Sequence, residues 1–195
     1  MLAMTIKRIG SCLLQPTPRD KWFETLVYAI VSQQISARAA AAIGLRLHTV
    51  IAASGTMQPR DIHASNNNEL RAIGLTHAKI ASLRDLCLRL DDGRLSFADL
   101  SLAPDHQAIR MLDDVRGIGE WTAQMFLIFA LGRLDVLPVA DIGIQRGIKM
   151  VFGFDAMPSA FQVREIARAN AWSPYASVAS WYLWCIAEPD GNPLW

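Results

Sequence analysis

The sequence predicts an all-α fold, and three observations carry that reading. Apolar residues recur at helical spacing along most of the chain, cap-forming residues stand at the ends of those stretches, and no run alternates apolar and polar residues as a half-buried strand would. The 195 residues, 52% of them apolar, suffice for a sizeable buried core in one domain or two small lobes.

Taken in order, Trp22, Phe23, Leu26, Val27, Ile30 and Val31 form one helical face near the front. The Ala-rich "SARAAAAIGLRLHTVI" continues helically, and "THAKIASLRDLCLRLDDG" repeats the pattern through Ile80, Leu83, Cys87 and Leu90. Thr76 is suited to cap that helix and Gly93 to end it. The stretches "SNNNEL" and "SFADLSLAPD" read as connectors, with Pro104 suited to the first turn of the next helix. Later helices are expected over Asp105 to Asp114, Glu120 to Leu131, Ile142 to Phe152, Pro158 to Asn170 and Pro174 to Ala187. A short echo links "RAIGLTHAKIASL" from Arg71 to "RGIGEWTAQMFL" from Arg116. Both read as a helix end, a glycine turn and a new helix; chance, or reuse of tight helix junctions, explains the echo equally well.

Charge excludes little and advertises nothing. Nineteen Lys plus Arg against eighteen Asp plus Glu leave a net charge of +1, so no strong field points to nucleic acid or an acidic membrane. Only Lys7, Lys21, Lys79 and Lys149 are lysines; the other fifteen basic residues are arginines, a bias that suits bidentate phosphate contacts. Cys12, Cys87 and Cys185 form no CxxC pair, which argues against a cysteine-rich metal site and fits a reducing compartment. The first twenty residues have neither a signal-peptide apolar region nor a spanning length, and "MFLIFAL" is too short to cross a bilayer, so a cytoplasmic location without membrane attachment is expected. His48, His63, His77 and His106 show no HExxH or paired spacing, and no GxSxG or GxxxxGKS stretch is present.

The most informative stretch is "LDDVRGIGEWTAQMFLIFALG", residues 112–132. A helix ends near Asp114, "RGIG" turns the chain, and a second helix starts at Glu120, which makes a helix-hairpin-helix element. Glycine permits left-handed φ and clears side chains from the turn surface. Backbone N–H groups at the start of the second helix then approach an anion, aided by the positive end of the helix dipole. A DNA phosphate suits, and uncharged amides do not require a basic protein. On Gly-Ile-Gly alone, a glycine-rich connection that binds nothing is the favoured reading, since such turns are common.

The surrounding residues reverse that preference. "LDDVRGIGEWTAQMF", then "LPVADIGIQRG", then "WSPYASVASWYLW", with "FETLVYAIVSQQISARAAAAI" near the front, resemble the 3-methyladenine DNA glycosylase II family of the helix-hairpin-helix glycosylase superfamily. The resemblance runs from about Trp22 to Trp184 and keeps the family's order. It implies a base excision repair enzyme that flips an alkylated base from duplex DNA and cuts its N-glycosidic bond. Asp141 matches the family's catalytic aspartate, and Trp121 and Trp184 match aromatic residues lining the base pocket. Gly117, Ile118, Gly119 and Thr122 fall at positions that contact the DNA backbone, and Gln34 at the position of a residue inserted into the gap left by the flipped nucleotide. The carbonyls of Asp113, Val115 and Ile118 match positions that hold a monovalent cation, sodium or potassium, bridging to phosphate. No organic cofactor is implied.

The chemistry is self-consistent. Alkylation at purine N3 or N7 makes the base cationic and weakens its glycosidic bond, so the enzyme mainly needs a negative charge near a sugar gaining oxocarbenium character. Asp141, following "LPVA" and opening a helix, sits where the dipole favours a carboxylate, and helix capping and catalysis are compatible roles. A cationic base also favours an electron-rich aromatic pocket. Trp22, Trp172 and Trp181 are read as core. Bifunctional superfamily members carry a lysine where Trp121 stands, so a monofunctional glycosylase without lyase activity is expected.

Several positions depart from the family pattern. Ala140 replaces the first of two acids, Ala176 replaces an arginine after the Pro-Tyr pair, and Met125 stands where some relatives have an aromatic, giving a more adaptable pocket wall. Arg38, Arg71, Lys79, Arg116, Arg146 and Lys149 are further candidate phosphate contacts. Two helical lobes are expected: 22–132 with the hairpin, and 1–21 plus 133–195 with Asp141, an active-site cleft between them, acting as a monomer on double-stranded DNA. At this length no additional N-terminal β domain is expected. A glycosylase for oxidised or deaminated bases and a non-catalytic DNA-binding protein are the rival readings.

Overall fold

The computed structural model describes residues 2–51 and 55–187, and among them every regular element is helical. In chain order these are α1 (Leu2–Ile9), α2 (Trp22–Ser32), α3 (Ala37–Ile51), α4 (Pro59–Ala64), α5 (Asn67–Ile73) and α6 (His77–Asp91). Next come α7 (Phe97–Leu102), α8 (Asp105–Asp113), α9 (Glu120–Phe129), α10 (Ile142–Phe152), α11 (Ala160–Ala169) and α12 (Ala176–Ala187), with one 3₁₀ turn at Arg19–Lys21. No described helix is long and apolar enough to cross a membrane.

The chain divides into two compact units, Thr17–Phe126 and Met1–Pro16 with Leu127–Trp195. The sequence places the divisions near 22 and 132 instead. Both differences have local causes. The Trp22 indole N–H donates to the Thr17 carbonyl at 3.0 Å, which ties the preceding turn to α2. At the other end the Arg133 N–H donates to the Leu127 carbonyl at 2.9 Å, so the last turn of α9 folds with the segment that succeeds it in the chain.

In the unit Thr17–Phe126, α2 and α6 supply the centre of the core through Leu26, Val27, Ile30, Leu83 and Leu86, all closed to solvent. Trp22, Phe97 and Phe126 meet with ring centroids 5.9 to 6.2 Å apart, which seats α7 against the start of α2. Thr76 caps α6, accepting from the Lys79 N–H at 3.2 Å, and Gly93 takes φ +78 just past the helix end, as their residue types dictate. Pro104 lies one position earlier than the sequence suggests: it is the residue before α8, at φ −58° and ψ 152°.

Two stretches read as connectors are helical. In "SNNNEL", α5 is held by a reciprocal pair: Asn66 accepts from the Glu69 N–H at 3.0 Å, and the Glu69 carboxylate accepts from the Asn66 N–H at 2.8 Å. In "SFADLSLAPD", Ser96 accepts from the Asp99 N–H at 3.3 Å and starts α7. α1 and α4 likewise lie where apolar periodicity is too short to register. The echo between residues 71–83 and 116–127 is one of sequence only. Gly74 takes φ +113, whereas in the second copy it is Gly117, two positions earlier in register, that takes the left-handed form.

In the other unit, Ile144, Ile148, Val163, Trp172, Trp181 and Leu183 form one core cluster from α10, α11 and α12 with the turn before α12. Trp22, Trp172 and Trp181 are all buried. The irregular segment before Asp141 is laced to the start of α12. The Val136 N–H donates to Ser177 Oγ at 3.0 Å, the Ser177 N–H donates to the Leu134 carbonyl at 2.9 Å, and the Asp135 carboxylate accepts from the Ala176 N–H at 3.2 Å. α10 and α12 approach closely at Gly147, where an added Cβ would stand 2.5 Å from the Leu183 carbonyl oxygen. Gly147→Ala must therefore part the two helices, and urea unfolding is expected to register a loss of about 1–3 kcal/mol. An unchanged midpoint would show that this contact does not constrain the fold.

Candidate active site

Asp141 is the residue before α10, at φ −72° and ψ 125°, and only 8% exposed. Its Oδ1 accepts two hydrogen bonds, from the Ile144 N–H and from the Trp184 indole N–H, each at 2.8 Å. Helix capping thus fixes the carboxylate from one side and α12 fixes it from the other. Its own N–H donates to the Pro138 carbonyl at 3.0 Å, closing the turn made by "PVAD".

Trp184 is half-buried, and its ring lies 5.5 Å from that of Phe129 at an interplanar angle of 31°. The sequence points to Trp184 as a pocket wall; the structure adds that it is a hydrogen-bond donor to the carboxylate. The indole has room because residue 143 is glycine. A Cβ there would stand 2.8 Å from Trp184 Cδ1 and 3.1 Å from Asp141 Oδ1. Gly143 and Phe129 are parts of the site that sequence reasoning misses. The signal for Gly143 lies in "ADIGIQ", a glycine in the first turn of a helix where propensity disfavours it.

The hairpin is built in the unit Thr17–Phe126. After α8, the Val115 N–H donates to the Leu112 carbonyl and the Ile118 N–H to the Val115 carbonyl, both at 3.0 Å, while the Val115 and Ile118 side chains are buried beneath. Gly117 takes φ +79, and a Cβ on it would collide with the Ser82 hydroxyl. Gly119 differs. Its φ is not left-handed and an added Cβ would meet nothing within 4 Å, so folding alone does not demand glycine there. Asp85 anchors the turn from α6, accepting from the Arg116 N–H at 2.8 Å and from Arg89 Nε at 2.9 Å. Partial burial pushes the Asp85 carboxyl upward, but these donors outweigh it and hold the group below the ordinary carboxylate range.

Along α9, Trp121 is 38% exposed, Thr122 and Met125 are buried, and the Thr122 hydroxyl lies 3.4 Å from Gln33 Nε2. Gln34, just beyond α2, is exposed and takes φ +57, a left-handed conformation rare for a residue with a side chain. Two of the candidate phosphate cations serve the fold: Arg71 donates to the Leu75 carbonyl and Lys79 Nζ to the Val31 carbonyl, each at 2.6 Å. Burial lowers the Lys79 pKa. The side chains of Arg38, Arg116 and Arg146 are exposed. Among the described residues, no group of three or more His, Cys, Asp or Glu is placed to hold a metal ion.

The two glycines separate by experiment. Gly117→Ala, strained by φ and by Ser82, is expected to destabilise the protein by about 1–3 kcal/mol. Gly119→Ala is expected to stay within about 0.5 kcal/mol of the parent. Thermal melts of the two variants check this, and equal losses would contradict it.

A family model described as HhH-GPD superfamily base excision DNA repair protein matches residues 27–172. The chain is 27% identical over 185 residues to the alkylbase DNA glycosidase-like protein mag2 of Schizosaccharomyces pombe, spanning 94% of this chain and 86% of that one. It is similar in structure to a DNA-3-methyladenine glycosidase from Bacillus halodurans, with a TM-score of 0.83 and 37% identity over 95% of this chain and 83% of the other. It is also similar to the 3-methyladenine DNA glycosylase Mag1 of S. pombe, solved in complex with abasic DNA, with a TM-score of 0.84 and 28% identity over 94% and 89% of the two chains.

Proposed function

The chain belongs to the HhH-GPD superfamily of base excision DNA repair proteins, and we propose that it is a DNA glycosylase that excises alkylated purines of the 3-methyladenine and 7-methylguanine type from duplex DNA. The relatives named for 3-methyladenine and alkylbase excision support the substrate class. The single observation that carries the chemistry is a buried-edge carboxylate, Asp141, fixed by two donors at 2.8 Å on one oxygen.

The reaction asks little of an acid. An alkylated purine is already cationic, so the C1′–N bond breaks with its electron pair returning to the ring, which leaves as a neutral base. Positive charge then develops at C1′ and the ring oxygen of the sugar. Asp141 stabilises that charge, water adds to C1′, and the water proton departs to give the abasic sugar. Because α10 and Trp184 hold the carboxylate before substrate arrives, it needs no reorganisation in the transition state. Trp184 stands beside Asp141 as an aromatic wall for the base; in the other unit, Trp121 is a part-exposed indole suited to a cationic purine and Met125, one turn further along α9, is buried.

The hairpin grips the DNA backbone. The Ile118 N–H already donates to Val115, so Gly119 and the first turn of α9 supply the amides for phosphate, with Gly117 shaping the turn and Thr122 buttressing it from within. The carbonyls of Asp113, Val115 and Ile118 suit a sodium or potassium ion. They are hard oxygen donors near the negative end of α8, and the Val115 oxygen, engaged by one N–H, keeps a second lone pair. Such an ion supplies positive charge toward phosphate. Gln34 fills the gap left by the flipped nucleotide, and the protein acts as a monomer on double-stranded DNA.

Mass analysis of free bases released from methylated duplex is the direct test. Wild type is expected to release 3-methyladenine and 7-methylguanine. Asp141→Asn, which still caps α10, is expected to lose about a hundredfold or more in excision while keeping duplex affinity and stability. Excision at the parental rate would overturn the role of Asp141. Trp121 stands where a Schiff-base lysine would act, so borohydride is expected to trap no covalent adduct with DNA; a trapped adduct would show a lyase step.

A further inference from the structure

α2 ends at Ser32, and the next two residues leave the helix abruptly: Gln33 at φ −58° and ψ 133°, then Gln34 at φ +57. A left-handed conformation is unfavourable for glutamine, so something outside the turn must hold it. The Gln33 side chain reaches across the unit and donates from Nε2 to the Gly117 carbonyl at 2.7 Å, with the Thr122 hydroxyl 3.4 Å away. On the helix side of the same turn, Lys79 Nζ donates to the Val31 carbonyl at 2.6 Å. The turn that carries Gln34 is therefore tethered at two points, and one tether is the carbonyl of the left-handed glycine of the hairpin.

We propose that Gln33 is a positioning residue for base flipping: its carboxamide locks the Gln34 turn to the hairpin, so that Gln34 enters the duplex at a fixed offset from the phosphate held at Gly119. This rests on the reading of Gln34 as the inserted residue and of the hairpin as the phosphate grip. A wedge on a free turn would yield when pushed against stacked bases. Tied to the hairpin, it is braced against the same DNA backbone it distorts. Gln33 touches no reacting atom, and its effect runs entirely through Gln34.

Gln33→Glu keeps size and shape but replaces the donor with a carboxylate facing a carbonyl oxygen; Gln33→Ala removes the tether without repulsion. Two readouts apply. The first is single-turnover release of 7-methylguanine from duplex DNA. The second, independent of chemistry, is the fluorescence of 2-aminopurine placed opposite a tetrahydrofuran abasic analogue, which reports insertion into the gap. Both variants are expected to melt within a few degrees of wild type, to lose about tenfold in duplex excision, and to lose the 2-aminopurine response, as Gln34→Ala does. In a Gln34→Ala background, Gln33→Glu is expected to add less than about twofold. A wild-type response in both Gln33 variants overturns the inference, as does a tenfold loss that persists without the Gln34 side chain. If Gln34→Ala itself matches wild type in both readouts, the wedge assignment falls and takes this inference with it. If wild type releases no base yet the fluorescence pattern holds, the proposed reaction fails and the tether stands.

Discussion

One oxygen atom, Oδ1 of Asp141, organises the unit that holds it. Two donors from elements far apart in sequence, the first turn of α10 and the indole of Trp184 on α12, meet there at the same distance. Each constrains the other. The indole approaches only because residue 143 lacks a side chain, and α12 lies close enough only because Gly147 lets its backbone near α10. The lacing of Val136 and Asp135 to the start of α12 delivers the segment that ends in Asp141 to the same place. Two donors on one oxygen leave this carboxylate little freedom to reorient, the condition under which a fixed charge is most effective.

The hairpin obeys a different logic. Its shape comes from anchors around it, the buried Val115 and Ile118 below, Ser82 and the part-buried Asp85 beside, and Gln33 across, so that its exposed edge can remain bare. A chain with a net charge of +1 attracts DNA weakly through its overall field. Several arginines serve the fold as caps on backbone carbonyls or partners to acids, as Arg71, Arg84 and Arg89 do. Neutral amides at a helix start bind phosphate without demanding a basic surface.

The long helices are legible in the sequence because their apolar periodicity is strong, as in α2 and α6, and because Thr76 and Gly93 mark their ends. The short ones, α5 and α7, carry one turn or two, too few for periodicity; only their caps, Asn66 with Glu69 and Ser96 before Asp99, announce them. Asp141 is legible from its place after "LPVA" at a helix start, and Trp184 from the resemblance rather than from its spacing with Trp181. The bond between Asp141 and Trp184 is not, since it joins residues 43 apart in sequence through a helix contact that no local pattern encodes. Gln33 escapes notice for a similar reason. Beside Gln34 it looks like half of a polar turn, and only the fold shows that one of the pair points to the hairpin while the other is exposed.

Gly117 and Gly119 answer to different judges. A replacement at the first jams the hairpin against Ser82, and the cost falls on the stability of the fold itself, raising the share of unfolded chain open to proteolysis. A methyl group at the second meets no neighbouring atom, so any demand for glycine there comes from outside the folded chain.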